Sequence, residues 1–213
     1  MGILFDKHSP EAVDAAVSAL NAGGVALLPA DTVYGFFGRA DVRESAERVY
    51  DIKQRDRGKP FGIYTNQQQV RRWVHLDAHA EILIERFWPR ALTIVLPRTE
   101  AVPSWFTGIA TVGVLTAANP LVSAVIERVE GPIFGTTVNY SGEPSIIKAV
   151  DAEHFLDSVD VMIGDDDVIV YNESSTIVDC SVDPPAVIRE GVVPTAAIAD
   201  AIPGLYIDFS RRR

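Results

Sequence analysis

Cysteine is almost missing from this chain: Cys180 is the only one in 213 residues. A lone thiol excludes a disulfide framework and a cysteine-rich zinc site, and inside its apolar run it reads as a small buried hydrophobe. Long apolar runs are missing as well. None approaches the roughly 20 residues that a membrane span needs. The opening stretch, MGILFDKHSP, has no apolar core of the kind a signal peptide carries. Cytoplasm is the expected compartment, so the N-x-S matches at Asn139 and Asn172 carry no glycosylation meaning. Positive charge is scarce: 19 Lys plus Arg stand against 29 Asp plus Glu, a net charge of −10. That balance argues against a surface that wraps nucleic acid, and it leaves room for a local basic groove. Two phosphate-binding signatures are absent: the P-loop pattern GxxxxGK followed by Ser or Thr, and the dinucleotide turn GxGxxG.

What the chain has is a core and a rhythm. Hydrophobic residues make up 47% of it, enough for one fair-sized domain. SPEAVDAAVSALNAGG reads as a helix that Ser9 caps, Pro10 opens and Gly23 ends. VALLP reads as a short buried strand. DVRESAERVYDIKQR is a second helix, with Val42, Ala46, Val49 and Ile52 recurring at three- and four-residue steps. FGIYT, LTIVLP, TVGVLT and GPIFGTTV read as strands; NQQQVRRWV, AHAEILIERFW and NPLVSAVIERV read as helices. VDVMIG, STIVDCS and PAVIRE add three strands before a closing helix, PTAAIADAI. Helices and strands alternate at first and strands dominate later. The expected fold is therefore α+β, layered, around a twisted mixed parallel and antiparallel sheet flanked by helices. No linker or repeat divides the chain, so a single domain over 1–205 is expected, with a loose tail at 206–213.

One stretch runs against the acidic balance. DIKQRDRGKP, residues 51–60, carries Lys53, Arg55, Arg57 and Lys59 at every second position. A cation at Lys53 is explained by the C-terminal end of a helix alone, worth roughly 0.3–1 kcal/mol. The others follow that helix. In an extended segment alternate side chains point the same way, which gathers cations in one place. Two readings stay open: a solvated charged edge, or a pocket for a polyanion such as a phosphate chain, gripped by Arg forks and Lys point charges.

Three further stretches supply candidate partners. In LLPADTVYGFFG a buried strand ends at Pro29, and Asp31, Thr32 and Tyr34 follow; strand-end loops commonly carry function, and a capped turn fits equally. In GTTVNYSGEPS, Thr136, Thr137, Asn139 and Ser141 can donate to an oxyanion or simply close a turn. In ESSTIVDCSVDPPAVIREG, Ser175 and Thr176 begin one strand and Arg189 ends the next, so a hairpin brings them within reach of neighbouring elements. His75 and His79 lie four apart without a third ligand, and the acidic run at 165–167 reads as a solvated loop, so no metal site is expected. Trp73, Trp88 and Trp105 read as core or cavity wall.

Together these stretches resemble the YrdC-like family of threonylcarbamoyl-AMP synthases. That family carries, in order, P-T-D/E-T-V-Y-G-L, K-x-R with a following K-P or N-P, F-W-P-G-x-L-T, T-V-x-V-R-x-P, S-A-N-x-S-G, S-T-V-V-D and L-R-x-G. The stretches here are PADTVYGF, KQR with GKPF, FWPRALT, TVGVLTAANP, TVNYSG, STIVD and IREG, spread from about residue 10 to 195. The resemblance implies a sheet around a concave, positively lined cavity where ATP, bicarbonate and L-threonine meet. The carbamate formed from threonine and bicarbonate attacks the α-phosphate of ATP, pyrophosphate leaves, and threonylcarbamoyl-AMP serves modification of adenosine 37 in tRNA. It implies the short form of the family, which passes its adenylate to a separate tRNA-modifying transferase complex. Magnesium is expected to come with the triphosphate, and the net charge of −10 leads us to expect weak or no direct RNA binding.

Position by position, the resemblance assigns Lys53, Arg55, Thr137 and Asn139 to catalysis. Lys53, Arg55, Arg57, Thr111, Asn139 and Arg189 are expected on ATP; Asp31, Thr32, Thr137 and Ser175 are expected on the amino-acid substrate. Four positions depart. Ala30 replaces the Thr of P-T-D/E-T, and Leu115 replaces the Arg that grips the threonine carboxylate. Arg90 replaces the Gly of F-W-P-G, where it is a candidate for the missing cation, and Val138 replaces the Ala of S-A-N. The nucleotide half is better kept than the threonine half. Two alternatives therefore stand beside the main reading: an adenylate-forming enzyme for a different amino acid or carbamate, and a non-catalytic nucleotide- or RNA-binding protein.

Overall fold

The computed structural model describes residues 2–31, 33–164, 171 and 174–211; Thr32, the acidic run at 165–167 and Asn172 lie outside them. The chain enters through β1 (Ile3–Asp6), α1 (Ala12–Asn21) and the hairpin β2 (Ala26–Pro29) and β3 (Tyr34–Arg39). It continues through α2 (Arg43–Lys53), β4 (Gly62–Tyr64), α3 (Ala78–Phe87), β5 (Leu92–Pro97) and the single turn α4 (Ser104–Thr107). Next come β6 (Thr111–Leu115), α5 (Pro120–Arg128), β7 (Ile133–Thr137), α6 (Ala149–Ala152) and β8 (Val161–Gly164). The hairpin β9 (Thr176–Asp179) and β10 (Ala186–Arg189), then α7 (Thr195–Ala201) and β11 (Tyr206–Ile207), complete it.

Among the described residues these strands form one sheet in the order β1-β8-β2-β3-β7-β4-β6-β5-β9-β10-β11. Parallel and antiparallel pairings are mixed: β4 runs parallel to β6 and antiparallel to β7. The sheet is the twisted mixed one that the alternation of elements suggests. Its two faces are treated differently along its width. Leu27, Phe36, Ile63, Ile94, Val114, Phe134 and Val178 turn to one face and join the larger core, under α2, α3 and α7. Ala26, Leu28 and Phe37 turn to the other face, where α1 and α5 cover them with Ala16, Leu20, Val122 and Val125. That cover reaches only β2, β3 and their neighbours. Phe37 lies opposite Gly135 in β7, so the same face continues across β7, β4, β6, β5 and β9, and no helix among the described residues covers it there.

Four local expectations change. Ser9 does not cap α1; its hydroxyl donates to Glu11, and the helix starts after Glu11 without a side-chain cap. NQQQVRRWV is mostly turn, with a 3-10 helix only at Val70–Arg72, because the Asn66 side chain accepts the Gln69 N–H and closes a tight turn. YGFFG, read as the end of a loop, is β3: Phe36 and Phe37 are both buried, one on each face, which no loop can provide. At the C-terminus, where a loose tail is expected, Tyr206–Ile207 pair with β10 as the sheet edge. Pro120 does open α5, with Asn119 as its cap.

The β9–β10 hairpin is pinned from inside. Thr176 is fully buried; its hydroxyl donates to the Val193 carbonyl at 2.6 Å and accepts the N–H groups of Gly191 and Val193 at 2.9 and 3.1 Å. An isosteric Thr176→Val replacement strands those groups, and each buried unsatisfied group costs about 1–3 kcal/mol. Chemical denaturation of that variant should show a loss of at least this size, with the fold retained.

Candidate functional site

The uncovered stretch of sheet is a cleft, and the twofold alternation of strands decides its lining. Gly62 and Tyr64 of β4, Gly113 and Leu115 of β6, Thr93 and Val95 of β5, and Gly135 and Thr137 of β7 face it. Two lobes of about 310 Å³ each share Pro60, Gly62, Thr93, Ile177 and Arg189. One lobe is mostly apolar, with Phe61, Val95, Ile109, Val112 and Ile188 beside Thr111. The other is more polar, with Asp31, Arg55, Thr116, Thr136, Thr137 and Ser175. Its floor is rich in glycine, with the side chains of Tyr64, Leu115 and Thr93 laid over it. Gly62 lies opposite Gly135, and a Cβ on Gly62 would sit 3.4 Å from the Gly113 carbonyl, so three glycines on adjacent strands make one strip. A Cβ at Gly135 would fall 2.4 Å from the Tyr64 ring.

Lys53 ends α2 and points inward, with 1% of its surface exposed. Its ammonium donates to the Thr137 carbonyl, to the Asn139 carbonyl at 3.0 Å and to Asn139 Oδ1 at 2.7 Å. Three acceptors match the three hydrogens of a charged amine. Burial, with Arg55 adding to it, lowers its pKa to about 7. The turn is tied further: Thr137 Oγ1 donates to Asn139 Oδ1 at 2.7 Å, Asn139 Nδ2 to the Glu143 carbonyl at 2.6 Å, and the Ser141 N–H to the Lys53 carbonyl at 2.9 Å. Lys53 and Asn139 thus meet, as expected, but both are spent on shaping the turn that presents Thr137 to the cleft.

The basic stretch does not run extended. Gln54 adopts a left-handed conformation, the Asp56 side chain accepts the Gly58 N–H at 2.9 Å, and the Lys59 N–H reaches the Asp56 carbonyl. This turn sends the cations in different directions. Arg55 lines the polar lobe, its Nε donating to the Lys59 carbonyl at 3.0 Å while the guanidinium lies 5.3 Å from the centre of the Phe61 ring. Phe61 itself stacks between Tyr50 and Phe134. Arg57 turns back to α2 and donates to Glu47 at 2.8 Å and Asp51 at 2.7 Å, away from the cleft. Its expected place on ATP is not supported: two carboxylates on the helix surface outcompete the pocket.

Asp31 serves the protein itself. Its oxygens accept the N–H groups of Ala118 at 2.8 Å and Asn119 at 2.6 Å, at the entrance to α5. Asn119 donates from its side chain to the Pro29 carbonyl at 2.8 Å, so the end of β2 and the start of α5 are clasped reciprocally. Burial raises the Asp31 pKa, and the two backbone N–H groups pull against that rise. Across the cleft, Arg189 donates from Nε to the Ser175 carbonyl and from its terminal nitrogen to Ser175 Oγ, both at 2.9 Å. Ser175 Oγ lies 2.9 Å from Thr93 Oγ1, which joins β9 to β5 at the floor. Arg90, the candidate substitute cation, is exposed and does not line either lobe. Of the expected residues, Arg55, Thr137, Ser175, Asp31 and Arg189 share the polar lobe, and Arg189 and Thr111 border the apolar one. Thr93, Thr116 and Tyr64 were not foreseen. Alternation beside the glycine of FGIY is the signal that would have found Tyr64, and alternation along LTIVLP the one for Thr93; nothing in the sequence marks Thr116.

The matches to known proteins agree with this arrangement. The Sua5, YciO and YrdC family model, described as "Telomere recombination", matches residues 18–191. A Pyrococcus abyssi protein called threonylcarbamoyl-AMP synthase is 32% identical over 88% of this chain and 56% of its own length. A Bacillus subtilis protein of the same name is 29% identical over 96% of this chain and 60% of its own. The chain therefore spans little more than half the length of these two relatives. The crystal structure of Pyrococcus abyssi Sua5 complexed with L-threonine superposes with a TM-score of 0.89 at 28% identity, covering 98% of this chain and 62% of that one. On the match over 18–191 and the 32% identity, the chain belongs to the Sua5, YciO and YrdC family.

Proposed function

We propose that the cleft forms a carbamoyl adenylate from ATP, as in the relatives called threonylcarbamoyl-AMP synthases, with L-threonine and bicarbonate as the co-substrates their name points to. The observation that carries this reading is the convergence of Arg55, Thr137, Ser175 and Arg189 on one concave face beside an apolar lobe. The apolar lobe suits a purine, and Thr111 borders it. Arg55 and Arg189 flank the path between the lobes and would meet the phosphates with charge-assisted hydrogen bonds. Asp31 and Asp179 are the carboxylates among the described lining residues, and they accept N–H groups of Ala118, Asn119 and Ser181. Magnesium would therefore arrive with the triphosphate. The carbamate oxygen displaces pyrophosphate at the α-phosphorus. The protein's contribution is to align the attacking oxygen and to balance charge, which is where such displacements gain most. The product would pass to a tRNA-modifying transferase complex, and the net charge of −10 gives RNA itself little to hold.

Three measurements test the reading. Pyrophosphate release should require ATP, bicarbonate and an amine together; retained ATP binding with no release under any amine would leave a nucleotide-binding protein instead. Arg55→Ala should weaken ATP binding about 10- to 100-fold, the loss of one charge-assisted contact, with stability nearly unchanged. Lys53→Met should differ in kind. It leaves the acceptors of the 137–139 turn without a donor, so it should lower both stability and turnover, and its KM for ATP should rise less than that of Arg55→Ala. The pH dependence separates it further. Below about pH 7 Lys53 is protonated in the folded and unfolded chains, and the cost of burying the charge is fully present. Above pH 7 the folded chain sheds the proton first, while an unfolded lysine holds it to about 10.5. Wild-type stability should therefore gain on Lys53→Met as pH rises through that window; parallel curves would remove this account of Lys53.

A further inference from the structure

We infer that a second cavity, between α2 and α4, binds a free α-amino acid with a large apolar side chain. This goes beyond the adenylate-forming reading and stands without it. The cavity holds about 270 Å³, at the small end of ligand pockets, which begin near about 300 Å³. One wall is the part of α2 that carries Ala46, Glu47 and Tyr50. The other is Trp105 and Phe106 of α4, with the chain that follows to Ile109. Arg57 and Gly58 complete the lining. The cavity is distinct from the cleft. Tyr50 lines the cavity and Phe61 lines the cleft, and their stacked rings, 4.3 Å apart, part the two. Among the described residues the cavity shares Ile109 with the apolar lobe and no residue with the polar one.

Charge decides the polar end of the ligand. Among the described lining residues the charged ones are Glu47 and Arg57. They are 41% and 56% exposed, and Arg57 Nε donates to Glu47 at 2.8 Å. An exposed pair of this kind contributes little, so opening it costs little. Arg57 keeps an anchor when the pair opens, because its terminal nitrogen donates to Asp51 at 2.7 Å. A zwitterion fits the opened pair. Its carboxylate accepts from the guanidinium and its ammonium donates to Glu47, so one charged contact becomes two. An α-amino acid carries both groups on one carbon, which matches host charges already within hydrogen-bonding distance. A lone anion would meet Glu47 as a like charge, and a lone cation would meet Arg57. The walls decide the other end. Tyr50 and Phe106 are buried, and the half-buried Trp105 has the Arg43 guanidinium 4.4 Å from its ring centre, a contact that steadies the indole. The hydroxyls on these walls are already donated, from Thr107 to the Ile109 carbonyl at 2.6 Å and from Tyr50 to the Lys59 carbonyl at 3.2 Å. A polar side chain such as that of threonine gains little here, and an aromatic or long aliphatic one buries its surface.

The test titrates L-phenylalanine into the full chain by calorimetry, with L-threonine and a non-hydrolysable ATP analogue present in excess to occupy the cleft. Saturable binding should remain, with a change in tryptophan fluorescence that Trp105→Phe removes. Two fragments of the ligand read its two charges: 2-phenylethylamine lacks the carboxylate and 3-phenylpropanoate lacks the ammonium. Each should bind at least about tenfold more weakly than phenylalanine, the loss of one charge-assisted contact. Glu47→Gln and Arg57→Gln should each weaken phenylalanine to the same extent without altering thermal melting. If either variant melts early, the two fragments on the wild-type protein decide. No saturable binding overturns the inference, as does equal binding of either fragment. Displacement of phenylalanine by threonine or by the nucleotide analogue also overturns it, since the ligand then sits in the cleft. None of these results bears on pyrophosphate release, so the adenylate reading stands or falls apart from them.

Discussion

A lysine ammonium sealed under the sheet surface is the interaction on which the site depends. Lys53 links the last turn of α2 to the loop that leaves β7, elements more than eighty residues apart in sequence. The fold tolerates the buried amine because three oxygens surround it, and those oxygens are held in place by its N–H donors. Removing either side leaves the other buried and unsatisfied, the costly half of any hydrogen bond. Thr137 is exposed to the cleft at this geometry because its neighbours Val138 and Asn139 are anchored. The shape of the cleft is therefore an outcome of helix packing and one buried amine, more than of the residues that line it.

Charge is allocated by distance in this protein. Four cations lie close together in sequence, yet one is buried in a cage of carbonyls, one lines the cleft and one is returned to the carboxylates of its own helix. The same economy governs the negative side. Asp31 sits where a ligand carboxylate is conceivable, and it satisfies the start of α5 instead. A chain of net charge −10 can in this way hold a phosphate-sized anion locally while repelling extended polyanions elsewhere.

Much of the architecture was legible because it depends on patterns a single segment displays. The periodicity of RESAERVYDIK marks α2, and the Pro and Asn of ANP mark the start of α5. The seven family-like stretches, read in order, located the walls of the cleft. What escaped depends on side chains choosing between near-equal partners. Arg57 sits two residues from Arg55 and points elsewhere because Asp56 closes a turn and Glu47 and Asp51 lie within reach. The family resemblance puts Lys53 on ATP, and only the tertiary placement of β7 shows that its hydrogens meet the 137–139 turn. β3 was hidden because both Phe36 and Phe37 are buried, so the alternation that marks a one-sided strand is absent.

The glycine strip across β7, β4 and β6 has a mechanical consequence. Its peptide groups cannot swing aside; the side chains laid over them, Tyr64, Leu115 and Thr93, are what can reorient when an occupant arrives. Adaptation to a new occupant must then come from those side chains, and residues such as Leu115 can be exchanged without disturbing the ground they stand on.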